Sequence, residues 1–149
     1  MRCVVQRVTE ASITVGGARL VTIGKGLAVL VGVSREDEER DLEWMAKRIA
    51  HLRIFPDAEG KMNLAPSMAG AEILLVSQFT LCANVRKGNR PSFAEAMEPN
   101  QAEAMMIRLA DAISEYGLQV KTGKFGAHMM VSLVNDGPVT IILDSRLRV

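Results

Sequence analysis

The sequence predicts a layered α+β fold built as one domain over residues 1–149, and three observations carry that reading. Two segments have the apolar spacing of amphipathic helices, at about residues 38–52 and 99–116. Most of the remaining apolar residues sit in strand-length runs closed by Gly, Asn, Asp or Pro. The two kinds of segment do not alternate strictly, which disfavours a doubly wound parallel sheet. No linker, low-complexity tract or repeat divides the chain.

Taken in order, Val4, Gln6 and Val8 alternate with Val5, Arg7 and Thr9. Ser12-Ile13-Thr14-Val15 then runs into Gly16-Gly17, a hairpin signal. Residues 20–23 return, Gly24-Lys25-Gly26 turns, and residues 27–33 are continuously apolar, as expected of a central strand covered on both faces. Asp37 is placed to cap the first helix, with acids crowding its first turn. Leu42, Met45, Ala46, Ile49 and Leu52 form its buried stripe. Asp57-Ala58-Glu59-Gly60 marks a hairpin between short strands, and residues 73–79 form a second apolar strand. Residues 82–93 read as loop. Pro99 opens the second helix at its favoured first position, and Gly117 ends it. Its apolar face comprises Ala102, Met105, Met106, Leu109, Ile113 and Tyr116. Two last strands, near 129–134 and 139–143, bracket Asn135-Asp136-Gly137-Pro138.

Charge and composition exclude several classes. A net charge of +1 does not suit a protein that coats DNA or RNA. No apolar run approaches the roughly 18 residues of a membrane span. The start, Met1-Arg2-Cys3, enters a strand pattern without an apolar signal region, so a cytoplasmic protein is expected, with Cys3 and Cys82 reduced. No acid occurs between Glu72 and Glu95, where Arg86, Lys87 and Arg90 fall. That loop is either a phosphate contact or solvated surface.

The usual catalytic signatures are missing, among them the P-loop, Gly-x-Ser-x-Gly, His-Glu-x-x-His and Cys-x-x-Cys motifs. His51 reads as a helix-end residue and His128 as core or interface packing. No metal or cofactor is expected. Two segments remain. Ser77-Gln78-Phe79-Thr80 ends a buried strand with polar groups, where N–H groups leaving a ladder can stabilise an oxyanion. The same hydroxyls can also do no more than satisfy a turn. Asn135-Asp136-Gly137-Pro138-Val139-Thr140 makes a turn by ordinary chemistry.

Together and in this order, these two segments resemble the strand-end and Gly-Pro motifs of the D-aminoacyl-tRNA deacylase family. The likeness extends to Met1-Arg2, Gln6-Arg7-Val8, the stretch 24–32, Leu52-Arg53-Ile54-Phe55 and Lys124-Phe125-Gly126-Ala127-His128-Met129. The resemblance implies β/β/α layering with barrel-like mixed sheets, and a homodimer acting on aminoacyl-tRNA with no membrane or DNA partner. It implies that Ser77, Gln78, Phe79 and Thr80 of one subunit face the Gly137-Pro138 turn of the other. That proline is expected to be cis, with Arg7, Asn135, Val139 and Thr140 supporting the turn. Phe125, Gly126, Ala127 and Met129 are expected to meet the terminal adenosine.

A threonine needs an adjacent base to attack, and none lies near Thr80 in sequence. The expected mechanism is therefore substrate-assisted. The free vicinal hydroxyl activates water, the Phe79 and Thr80 N–H groups hold the oxyanion, and Thr80 and Gln78 shape the site. A main-chain selector sees the α-carbon, so glycyl-tRNA, including glycine mischarged on tRNA-Ala, is expected to pass. The competing readings are a non-catalytic RNA-binding module, a sister deacylase removing small mischarged L-amino acids, and an inactive structural dimer.

Overall fold

The computed structural model describes residues 1–148. Strand β1 (Arg2–Val15) is continuous over 14 residues and turns at Gly16 and Gly17, whose φ angles of 57° and 80° suit glycine. It returns as β2 (Ala18–Ile23). The apolar run forms β3 (Gly26–Gly32), antiparallel to the first half of β1. Strands β4 (Phe55–Pro56) and β5 (Met62–Leu64) make the small expected hairpin. β6 (Glu72–Ser77) lies parallel to β3, and β7 (Val120–Thr122) parallel to β6. β8 (Met130–Asp144) runs antiparallel along β1, so the mixed sheet has the order β2-β1-β3-β6-β7 with β8 on β1.

Two apolar layers flank this sheet. Leu27, Val29 and Val31 face one way, into a layer with Leu42, Met45 and Ile49 of α1 (Glu39–His51) and Leu109 and Ile113 of α2 (Pro99–Ser114). Ala28 faces the other way, with Leu74 and Val76, and is covered by Ile13 and Ile23 from the curled β1–β2 end. Neighbouring strand residues point to opposite faces. β3 is thus apolar throughout because both of its faces are covered, which gives the β/β/α layering and the near-barrel shape.

The structure departs from the sequence expectations at several points. The cap of α1 is Glu38, boxed with Asp41, and not Asp37. Asp37 instead accepts from the Met1 ammonium and, at 2.6 Å, from the Ser34 N–H. Tyr116 lies beyond the end of α2, exposed, with its ring edge-on to His51. His128 is exposed ahead of β8 and is no part of the core. The apolar strand at residues 73–79 stops at Ser77. The two last strands are one, because β1 runs unbroken beside them while β8 bulges between Asn135, opposite Val8, and Thr140, opposite Gln6. Pro99 does open α2, with the Glu98 carboxylate accepting from the N–H groups of Asn100 and Gln101. Among the described residues no helix is long and apolar enough to cross a membrane.

Candidate active site

β6 carries its apolar run into the core and releases the chain at Ser77. The Gln78 N–H still donates to the Val31 carbonyl at 2.7 Å, and the chain then winds into a 3-10 turn, Phe79–Cys82. Its internal bonding starts with Leu81, whose N–H donates to the Gln78 carbonyl at 3.2 Å. The leading N–H groups of Phe79 and Thr80 have no acceptor among the described residues, as the first donors of a helical turn do not. Both residues are exposed, and the Thr80 hydroxyl forms no hydrogen bond among the described residues. The turn therefore offers adjacent main-chain donors at the end of a rigid strand.

Gly32 lets this turn sit close. A Cβ there would stand 2.8 Å from Leu81 Cβ and 3.1 Å from the Gln78 carbonyl oxygen. Cys82 closes the far side, its Sγ 3.5 Å from the Val33 carbonyl. Burial pushes the Cys82 thiol up from its ordinary value, and burial pushes Cys3 up further, so neither is a thiolate at neutral pH.

Beside the turn lies a cavity of about 450 Å3, lined mainly by apolar residues. Ser77, Gln78 and Phe79 form one wall, Phe125 and Gly126 another. The structure thus joins Ser77, Gln78 and Phe79 to half of the segment assigned to adenosine, while Thr80 lies outside the lining. Ala127 and Met129 do not line the cavity; Met129 packs with the second apolar layer. Phe93 and the start of α2, with Met97, Ala102 and Met106, complete the lining, and sequence reasoning missed them. The Phe79 and Phe93 rings meet edge-on, centroids 5.0 Å apart. Three of the four phenylalanines of the chain line this one space, a concentration that composition conceals.

The Gly137-Pro138 turn is elsewhere. Its peptide is cis, both residues are exposed, and neither lines the cavity. Arg7 on β1 faces Leu27 of β3, while Ser77 of β6 faces Val31. Four residues along β3 and three strands across make an in-sheet path of roughly 20 Å. The turn is tied down from beneath. Buried Arg7 donates from Nε to the Asp136 carbonyl at 3.0 Å and from Nη1 to the Ile54 carbonyl at 2.6 Å. Asn135 accepts from the Val139 N–H at 2.7 Å and donates to the Val139 carbonyl and to Thr140 Oγ1, both at 3.2 Å. Val139 is buried in the main core.

Of the basic loop, Arg86 lines a separate hollow, while Lys87 and Arg90 are exposed outside it. Among the described residues no three His, Cys, Asp or Glu side chains converge as a metal-ligand group.

A curled mixed sheet with two helices on one face, and a strand-end turn of free N–H groups beside an aromatic cavity, define a small α+β domain with a candidate oxyanion site. Comparison with known proteins narrows the class. The sequence matches the D-Tyr-tRNA(Tyr) deacylase family over residues 4–144, and the chain belongs to that family. It is 56% identical over 146 residues to the D-aminoacyl-tRNA deacylase of Chlorobaculum parvum, covering 97% of this chain and 98% of that one. It is 55% identical over 145 residues to the D-aminoacyl-tRNA deacylase of Desulfitobacterium hafniense, covering 97% of both chains. Among solved structures it resembles a c-Myc DNA unwinding element binding protein (TM-score 0.91, 47% identity, covering 97% of this chain and 98% of that one). A probable eukaryotic D-amino acid tRNA deacylase shares the fold, with TM-score 0.81 at 17% identity, covering 95% of this chain and 97% of that one.

Proposed function

We propose that the protein hydrolyses the ester of D-aminoacyl-tRNA, releasing the D-amino acid and free tRNA. The observation that carries this reading is the pair of unsatisfied N–H groups on Phe79, which lines a phenylalanine-rich cavity, and on Thr80, the next residue of the same turn. A terminal adenosine can stack in such a cavity, and the ester carbonyl then meets the turn. Two fixed donors there stabilise the oxyanion without reorganisation. An aminoacyl ester is already activated, so the free vicinal hydroxyl of the ribose suffices to direct water. Ser77, Gln78 and Thr80 shape and polarise the site.

Chirality is read by a second copy of the chain. Gly137 and Pro138 present main chain outward, too far from their own cavity to act there, and Arg7 and Asn135 hold that main chain in place. A homodimer that brings this turn to the partner's cavity completes the site. Met130, Val131, Val134 and Ile142 of β8 are exposed, and β8 pairs only with β1 among the described strands. An apolar edge strand of this kind favours cover by a partner. A main-chain selector accepts many D-side chains and passes glycine, while an L-side chain meets the wall.

The test is deacylation of matched D- and L-tyrosyl-tRNA with a chelator present. Loss of the D-ester alone supports the reading. Stability of both esters would turn the assignment towards an RNA-binding module, and loss of both would remove the chiral selector. Glycyl-tRNA is expected to be hydrolysed and L-alanyl-tRNA spared; equal rates on the two would sink a selector made of main chain.

A further inference from the structure

We infer that the hollow on the far side of the Phe79–Cys82 turn is a seat for a phosphodiester of the tRNA 3′ strand, formed by Arg2, Arg86 and Arg146. The inference rests on the reading of the substrate as a charged tRNA. It concerns a part of the molecule that the aromatic cavity does not include.

The two spaces share one wall. Val31 of β3 and Val33 just beyond its end line the aromatic cavity, and Gly32 between them lines the hollow, since successive residues of an extended chain point to opposite faces. Phe79 closes the cavity, while Leu81 and Cys82 of the same turn close the hollow. A 3-10 turn rises about 2 Å per residue, so the step from Phe79 to Cys82 is roughly 6 Å. That is the scale of one nucleotide step. An RNA strand ending in the cavity therefore has a phosphate within reach of the hollow.

Three arginines, Arg2, Arg86 and Arg146, line the hollow, which has a volume of about 240 Å3. Asp144, buried beneath them, fixes two. It accepts from Arg2 Nε and Nη2 at 3.1 and 2.9 Å, and from Arg146 Nε and Nη2 at 3.1 and 3.0 Å. Arg2 also donates from Nη1 to the Leu81 carbonyl at 3.2 Å, so the same side chain holds the turn. A guanidinium has five N–H donors. These bonds leave Arg2 two and Arg146 three, in planes already fixed. Arg86 makes no ion pair among the described residues and retains its full set. Against these stand Glu95 in the lining and the single Asp144 charge that the two arginines share. Fixed, forked donors with one free arginine suit a phosphate, which takes several charge-assisted bonds at once.

The experiment compares three esters of D-tyrosine: with adenosine, which carries no phosphate, with the dinucleotide CpA, and with the trinucleotide CpCpA. In the wild-type protein kcat/KM is expected to rise when one of the two phosphates is added. Arg86→Gln should reduce that gain by about tenfold, the value of one lost charge-assisted contact. It should also make the salt dependence on full-length D-tyrosyl-tRNA shallower by about 0.7 in logarithmic slope. Arg86→Glu should abolish the gain, and both variants alter only an exposed loop side chain. An unchanged ratio of CpCpA to adenosine ester in both variants would overturn the phosphate seat while leaving the deacylase intact. An equal loss in Lys87→Gln would overturn it too, as a general effect of charge. A wild-type protein inert towards all three esters and the charged tRNA would instead defeat the proposed function itself.

Discussion

Gly32→Ala separates the position of the Phe79–Cys82 turn from its composition. An alanine Cβ would stand 2.8 Å from Leu81 Cβ, 3.1 Å from the Gln78 carbonyl oxygen and 3.4 Å from Cys82 Sγ. Ordinary carbon contacts begin near 3.5 Å, so the turn must retreat by roughly 0.7 Å. β3 cannot give way as easily, because it is bonded to β1 on one side and β6 on the other. All three neighbours belong to residues 78–82, and the turn moves as a body. A donor meant to sit about 2.9 Å from an oxyanion would then lie near 3.6 Å, beyond hydrogen-bond range. Losing one such donor costs about 100- to 1000-fold in kcat, or about 2.7–4 kcal/mol. The overpacking costs stability about 1–3 kcal/mol, which leaves a folded protein to assay. Single-turnover hydrolysis of D-tyrosyl-tRNA should therefore slow by about two orders of magnitude, with far-ultraviolet circular dichroism unchanged. Adding Leu81→Gly removes the nearest colliding atom and should return part of the rate. A folded Gly32→Ala protein within threefold of the wild-type rate would refute the argument that the seat of the turn carries the chemistry.

Thr80→Val should keep more than a thousandth of the single-turnover rate; a larger loss, above about 4 kcal/mol, would assign the hydroxyl a chemical step. Arg7→Met strips the Asp136 and Ile54 carbonyls of their donor in a buried site, and chemical denaturation should show a loss of about 2–4 kcal/mol. Mixing Gly32→Ala with Gly137→Val subunits should restore activity that neither has alone, since half of the mixed dimers' sites are intact; no recovery after subunit exchange would remove the shared site. Burial favours the protonated form of Asp144, yet the bonds from Arg146 and Arg2 outweigh it and hold the carboxyl well below its usual range. Its native value lies below the unfolded one, so its contribution is complete above about pH 4 and is lost as pH falls further. Tm should fall steeply below about pH 4, and less steeply in Asp144→Asn.

Much of this architecture was legible because burial dictates pattern. Residues 27–33 are apolar without alternation, and the strand is covered on both faces. Pro99 marks the start of the second helix for a backbone reason that holds in any context, while the helix ends at Ser114, three residues before the expected stop at Gly117, where the chain turns with φ 79°. The misreadings have equally local causes. Phe79 and Leu81 alternate with Gln78 and Thr80 as residues of a continuing strand would, so the pattern does not fix Ser77 as the last residue in the sheet. Gly137-Pro138 breaks a strand on its own, but β1 supplies an uninterrupted partner, and the break becomes a bulge. Capping passed to Glu38 because Asp37 is engaged by the Ser34 N–H and by the Met1 ammonium, the second of which no local rule includes. Phe93 was hidden in a polar loop. The Arg2–Asp144 contact spans 142 positions and exists only through the register of β1 against β8.

Under the proposed function, the scarcity of catalytic signatures follows from what the site must recognise. The terminal adenosine is common to all tRNAs, and the α-carbon with its amino group is common to all amino acids. Groups matched to invariant features need no chemical variety, and main chain suffices where a rigid element aims it. Here β6 and Gly32 aim the Phe79–Thr80 N–H groups, while Arg7 and Asn135 aim the Gly137-Pro138 turn. In the proposed site, side chains with defined partners, Arg7 and Asn135 above all, therefore stand behind the main chain of the turn. It follows that substitutions behind the main chain should harm every D-substrate alike, with Arg7 and Gly32 the sharpest cases. Discrimination among D-amino acids should stay shallow in every variant if the selector is main chain, as proposed.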